Sequence, residues 1–309
     1  MEQNNILIYN KTKLSLNSIL SFEKKERSKN DENNKVRESI IGAIINKEIP
    51  NFFYDKSDKW KSLKEEIDIF TKKIIYKSIG DVDIEKLECI HKGGRMFNYD
   101  YELMVNDKYN LKIEFKYNCL SVKEHPQFSS PMKPSKYLSV NFEEFWYKNI
   151  LPDIVDIGGF DLPDIDDYFK DIHNNKPKCI KNLQLKYYQG CERSSKFTNK
   201  KEDIDFYESC RKLDKVGIEL FINYTDLDIK KLSKYLKNSQ SDKIYMCFKD
   251  GKFYYDKIND ELYQINKVIK KNKNSFICET SNGDKINVMI RFKNGCGLAY
   301  PAFQISSLK

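Results

Sequence analysis

This sequence lacks several things, and each absence excludes something. No run of 18 apolar residues occurs, so no membrane span is expected. The opening stretch MEQNNILIYNKTK has none of the basic-then-apolar layout of a secretory leader, and an intracellular location is expected. The eight cysteines (Cys89, Cys119, Cys179, Cys191, Cys210, Cys247, Cys278 and Cys296) contain no CxxC pair. That speaks against a zinc ribbon and, with no leader, against a disulfide framework. The three histidines, His91, His125 and His173, are too dispersed for a histidine-based metal centre or triad. Neither a Walker A loop nor a GxGxxG turn is present, so ATP and dinucleotides are not indicated, and no internal repeat stands out. Arginine is scarce: it supplies 6 of the 54 basic residues, and lysine the other 48. A bias toward Lys, Asn and Ile is what A/T-rich coding gives, so the lysines reflect coding drift as much as a binding surface. The net charge of +8 still suits a phosphate-rich partner.

What is present is enough for a folded chain. Its 309 residues are 40% hydrophobic and 13% aromatic, which excludes wholesale disorder and allows one large domain or two medium ones. Residues 1–35 read as a polar arm ending in the low-complexity stretch EKKERSKNDENNK, expected to be a mobile loop. In VRESIIGAIINKEIP, Val36, Ile40, Ala43, Ile44 and Lys47 share a helical stripe that Pro50 ends. Residues 59–78 repeat the pattern with Trp60, Leu63, Ile67, Phe70 and Ile74 or Ile75. DVDIEKLECIHKGGR predicts a short strand running into a Gly93-Gly94 turn, where a backbone approach to phosphate by Gly93-Gly94-Arg95 competes with an ordinary turn.

Further on, SKYLSVNFEEFWYKNILPDI predicts one aromatic-faced helix closed by Pro152, and DIGGFDLPDIDDYF an irregular connection. Beyond residue 176 come helical segments near 200–214 and 225–238. The last 70 residues alternate with period two around Asp250-Gly251 and Asn282-Gly283 turns and read as a small β module. Three regions are therefore expected: the arm 1–35, an α/β domain over 36–240, and a β-rich module over 241–309. In that module Arg291 and Lys293 share a face that could meet phosphates, whereas Phe292 falls on the core side.

The stretch NYDYELMVNDKYNLKIEFKYN, residues 98–118, carries the chemistry. Tyr99, Tyr101, Leu103 and Val105 alternate with Asp100, Glu102 and Met104; Leu111, Ile113, Phe115 and Tyr117 alternate with Lys112, Glu114 and Lys116. A hairpin with both apolar sets on one buried face puts the charged sets together on the other. If Val105 opposes Leu111, Glu102 opposes Glu114 and Asp100 opposes Lys116. Opposed like charges cost up to about 1 kcal/mol, and opposed Cβ atoms are about 5 Å apart, so the carboxylates can converge on one hard divalent cation. A solvated charged hairpin is the other reading.

Asp100, a short turn and then Glu114-Phe115-Lys116 resemble the core of the PD-(D/E)xK nucleases, the restriction-endonuclease-like superfamily. The resemblance covers about residues 36–150. It implies an α/β fold with a mixed sheet flanked by helices, and DNA cleavage with Mg²⁺, for which Mn²⁺ can substitute. Asp100 and Glu114 would hold the metal, Lys116 would be the catalytic lysine, and Glu38 would be the helix carboxylate, with Glu65 or Glu66 as substitutes. Gln127 corresponds to a Gln that some members carry after the Lys. Tyr99 stands where the name-giving Pro would be, and Glu102 competes with Asp100 for the ligand role. The whole chain is also similar to uncharacterised nuclease-like proteins of large DNA viruses, which would place it in the cytoplasm or nucleus of a host cell. Double-stranded DNA is the expected partner, with Arg95, Arg291 and Lys293 as candidate contacts, no membrane, and room for a homodimer. Two other classes stay open: a non-catalytic nucleic-acid binder on the same scaffold, and an interaction or structural protein with a solvated hairpin.

Overall fold

The computed structural model describes residues 6–24, 30–92, 97–124, 127–128, 133–174, 177–258, 260–292 and 301–308. In chain order the first elements are β1 (Ile6–Tyr9), β2 (Thr12–Ser15), α1 (Asn30–Ile45), α2 (Asn51–Lys56), α3 (Asp58–Ile79), β3 (Leu87–His91), β4 (Tyr101–Val105) and β5 (Tyr109–Tyr117). The middle of the chain holds β6 (Gln127–Phe128), α4 (Phe142–Asn149), α5 (Leu151–Gly158), α6 (Ile165–Asp171), α7 (Lys181–Gly190), α8 (Lys201–Tyr224) and α9 (Ile229–Gln240). The last are β7 (Ile244–Lys249), β8 (Lys252–Asp256), β9 (Ile265–Asn272), β10 (Ser275–Thr280), β11 (Lys285–Phe292) and β12 (Pro301–Leu308). The chain is mixed α/β, as expected, and no described helix is long and apolar enough to cross a membrane.

Two compact units result. The first is Met1–His125 with Lys237–Asp260, and the second is Pro126–Leu236 with Glu261–Lys309. This differs from the division at 240/241. The segments KIYMCF and KFYYD, read as part of the C-terminal module, are β7 and β8, and they complete the sheet of the first unit in the order β3-β4-β5-β7-β8. All its pairings are antiparallel except β5 with β7, which run parallel. Parallel neighbours cannot be joined by a tight turn and need a long crossover. Here the crossover carries most of the second unit.

One face of this sheet is apolar. Tyr101, Leu103, Val105, Ile113, Phe115, Met246 and Phe248 pack with Ile40 and Ile44 of α1 and Ile67, Phe70 and Ile74 of α3. The predicted stripe of α3 is the buried one, Trp60, Leu63, Ile67, Phe70 and Ile74 among them. The arm before α1 is not a loop throughout: β1 and β2 form a hairpin, and a 3-10 helix over Leu16–Phe22 buries Ile19 and Phe22. The low-complexity run from Asn30 onward belongs to α1, while residues 25–29 lie outside the described set. Two contacts fix α1 on the sheet. Asn46 exchanges hydrogen bonds with the Cys89 backbone at 2.7 and 3.0 Å, and the Tyr101 hydroxyl donates to the Glu38 carbonyl at 2.9 Å.

The β4–β5 register is two residues tighter than expected. Val105 pairs with Tyr109, Leu103 with Leu111, Glu102 with Lys112 and Tyr101 with Ile113. The reason lies in the turn. Asn106 and Asp107 both adopt positive φ (53° and 54°), and Lys108 N–H closes onto the Val105 carbonyl at 3.1 Å. Two consecutive left-handed residues reverse the chain at once, so β5 begins at Tyr109 instead of after it. Asn tolerates this conformation best among non-glycine residues. Its side chain is also used: Oδ1 accepts from Glu85 and Lys86 N–H, and Nδ2 donates to the Asp83 carbonyl.

In the second unit, β6-β12-β11-β10-β9 form an antiparallel sheet, and the aromatic run of α4 is core: Phe142 meets Phe221, and Trp146 lies 4.7 Å from Phe292. Phe292 is buried, as alternation implied. The single helix expected there is two, because Ile150 leaves the helical conformation and Pro152 stands in the first turn of α5. Proline lacks an N–H and is tolerated at a helix start, so it opens α5 and does not close α4. The connection after it contains α6, capped by Asp164, and α7 lies against α8 so tightly that a Cβ on Gly190 would meet the Asp203 carbonyl. Asn106→Ala is expected to destabilise the first unit by about 2 kcal/mol, and Asn106→Gly, which keeps the left-handed turn, by about half as much. Urea midpoints followed by circular dichroism measure the difference.

Candidate active site

The face of the sheet opposite α1 and α3 carries charge. Alternation along β5 sends Glu114 and Lys116 to that face, and parallel pairing aligns Glu114 with Tyr245 of β7, two residues after Lys243. Asp100 lies one position before the β4 ladder. Its N–H donates to the Ile113 carbonyl at 2.9 Å, and its own carbonyl accepts from Lys92 N–H at 2.8 Å. Its Oδ2 accepts from Phe115 N–H at 2.8 Å, standing in for the strand carbonyl that would come next. Three hydrogen bonds thus hold this carboxylate beside Glu114.

Glu114 is flanked by two ammonium groups. Lys116 Nζ pairs with Oε1 and Lys243 Nζ with Oε2. Oε2 is buried, and the Lys243 ammonium is its partner. Glu114 and Lys116 side chains are 14% and 20% exposed, whereas that of Lys243 is 1% exposed. Lys243 Nζ also donates to the Asn98 carbonyl, and the Asn98 amide donates to the Ser239 carbonyl at the end of α9. Glu38 of α1 completes the cluster. Its Oε2 is 3.3 Å from His91 Nε2, and His91 Nδ1 faces Asn10 Nδ2 at 2.7 Å.

The charges decide the protonation. Burial lifts the Asp100 carboxyl to about 7, with repulsion from Glu38 and then Glu114 adding to the rise; Lys116 and the Phe115 N–H oppose it. Glu114 behaves in the opposite way: burial works against its charge, but Lys116 and Lys243 overcome that and hold it below the usual carboxylate range. Burial would likewise discharge Lys116, and Glu114 reverses the effect and raises it. For Lys243 burial prevails and lowers it.

Of the expected residues, Glu38, Asp100, Glu114 and Lys116 come together. Glu65 and Glu66 do not replace Glu38, which is the helix carboxylate acting on Asp100. Glu102 is not a competitor: it pairs with Lys112 across the ladder, accepts from the Tyr99 hydroxyl at 2.6 Å and meets Lys92 at 2.9 Å. Gln127 belongs to β6, paired with β12 in the second unit. Arg291 is in that unit too, half-buried, with Nη1 donating to Gln304 at 2.7 Å. Arg95, the Gly93-Gly94 turn and Lys293 lie outside the described residues. Sequence reasoning missed Lys243. Its signal was the all-apolar run IYMCF directly after it, since a strand buried on both faces is the mark of a central parallel strand.

The donor set fits a hard cation. Asp100 and Glu114 supply carboxylate oxygens, Glu38 acts on Asp100 from α1, and Asp100 Oδ1 has no hydrogen-bond donor among the described residues. Among those residues no three His, Cys, Asp or Glu side chains form a ready-made metal cage. Mg²⁺ typically takes one or two carboxylates and keeps its water, so such a cage is not what it needs. No family model, no curated protein and no solved structure matches this chain.

Because the folded state holds the Asp100 proton up to about pH 7 while the unfolded chain releases it near 3.8, the unfolded state gains from each pH step between those values. The metal-free protein is therefore expected to lose stability relative to Asp100→Asn as pH rises from about 4 to about 7. Asp214, which burial lifts to about 8, contributes equally to both proteins. Thermal melts of the pair across that range check the difference, and equal slopes would contradict the arrangement.

Proposed function

We propose that this chain is a Mg²⁺-dependent phosphodiesterase of the PD-(D/E)xK type that hydrolyses DNA. The observation that carries the reading is the convergence of Asp100, Glu114 and Lys116 from adjacent strands, with Glu38 of α1 facing Asp100. The mixed sheet with α1 and α3 packed on it supports the reading as well, since a mixed sheet flanked by helices is what the restriction-endonuclease-like resemblance implies.

Asp100 and Glu114 would hold Mg²⁺, with Glu38 beside them, and the ion when bound supplies Lewis-acid polarisation of the phosphate and a water of lowered pKa. The protein's own part is positional. Asp100 is fixed by its bond from Phe115 N–H, and Glu38 by α1, whose carbonyl receives the Tyr101 hydroxyl. Lys116, partly exposed beside Glu114, would orient the attacking water and meet the negative charge that develops on phosphate. The net charge of +8 favours a polyanionic substrate, with affinity that weakens as salt rises.

A second reading, a nucleic-acid binder without catalysis, draws on one fact: both Glu114 oxygens already face ammonium groups. Mg²⁺ dependence separates the two. Supercoiled plasmid incubated with the protein is expected to be nicked with Mg²⁺ or Mn²⁺ and spared with a chelator. Glu114→Gln and Lys116→Met are expected to lower the rate by at least about 100-fold with unchanged circular dichroism. DNA binding that ignores Mg²⁺, with no nicking, would establish the binder instead.

A further inference from the structure

Lys243 has no part in the reaction just described, yet it is the most enclosed charge of the site. We infer that Lys243 is a built-in cation that occupies, on Glu114, the place a second divalent ion would need, so that the centre takes a single divalent ion. The inference rests on the reading of Asp100 and Glu114 as a metal centre.

Centres with two metals set the ions about 3.5–4 Å apart, a spacing at which one carboxylate can serve both. Glu114 is the carboxylate in a position to do so here, and its two oxygens face Lys116 and Lys243. The two lysines differ in what they can do. Lys116 is 20% exposed, with Glu114 as its ion-pair partner, so rotation can free Oε1. Lys243 is 1% exposed and bound at its tip to Asn98, which is itself tied to Ser239. It has nowhere to swing, and Oε2 stays covered.

Lys243 is thus a positioning residue: it touches a ligand carboxylate, and no substrate contact is needed for its effect.

Equilibrium dialysis with Mn²⁺, counted by electron paramagnetic resonance on the full chain, tests this. The unaltered protein is expected to bind one Mn²⁺ at the centre, and Asp100→Asn none. Lys243→Met, which keeps the apolar stem and loses the charge, is expected to bind about tenfold tighter or to accept a second ion. Lys243→Arg, which keeps the charge, is expected to stay at one. Two ions on the unaltered chain, or Lys243→Met binding one ion with unchanged affinity, overturns this inference and leaves the metal reading standing. No Mn²⁺ at the centre of any of these proteins overturns the metal reading, and this inference with it. If Lys243→Met does not fold, Lys243→Gln, which also loses the charge, is counted in its place and carries the same two outcomes.

Discussion

The structure of the first unit turns on one carboxylate held between two ammonium groups. Glu114 with Lys116 and Lys243 is an almost enclosed triad, and enclosed charges persist only when each has a close partner. Removing one member of such a group costs about 3–5 kcal/mol, mostly because the others are left uncompensated. The triad explains its neighbours. Burial and the facing Glu38 and Glu114 outweigh what relief Lys116 gives Asp100, and Asp100 keeps its proton up to about pH 7. The parallel pairing of β5 with β7 is what brings Lys243 into reach, so sheet topology and site electrostatics are one constraint.

An arrangement of this kind needs support from outside the charges. The apolar face of the same strands supplies it: Tyr101, Leu103, Ile113 and Phe115 are buried against α1 and α3. Each such side chain contributes about 1.5–3 kcal/mol by leaving water. Asn46 locks α1 to β3, and the Tyr101 hydroxyl holds the turn of α1 that bears Glu38. The core faces away from the charges and holds them still.

Much of this was legible in the sequence, because it depends on local periodicity. The 3.6-residue stripes of α1 and α3 and the period-two alternation of β4 and β5 name the buried faces, and with them the common face of Asp100, Glu114 and Lys116. Parity survived even where register did not. The two-residue shift kept every side chain on its face but exchanged Glu102's partner from Glu114 to Lys112. What could not be read is non-local. Nothing near KIYMCF states that its partner is β5, with α4 to α9 lying between them in the chain, and without that pairing Lys243 is one lysine among 48. The boundary at 240 failed for the same reason, since a change in local pattern from helix to strand was taken for a change of unit. Pro152 was read as a stop because proline ends helices, although it also begins them.

The insertion between β5 and β7 has a consequence for how the protein is made. When a ribosome has finished Tyr117, the strand has one neighbour, β4, and its other edge is bare. At ordinary rates of synthesis, on the order of 10 s pass before Ile244 emerges. Throughout that interval Glu114 waits without its enclosed lysine, and an open strand edge invites pairing with whatever chain is nearby. The helices α4 to α9 have emerged by then, but the second unit cannot close, because its strands β9 to β12 follow β8 in the chain. The first unit's sheet is therefore completed only when β7 arrives, and the charged cluster around Glu114 closes with it.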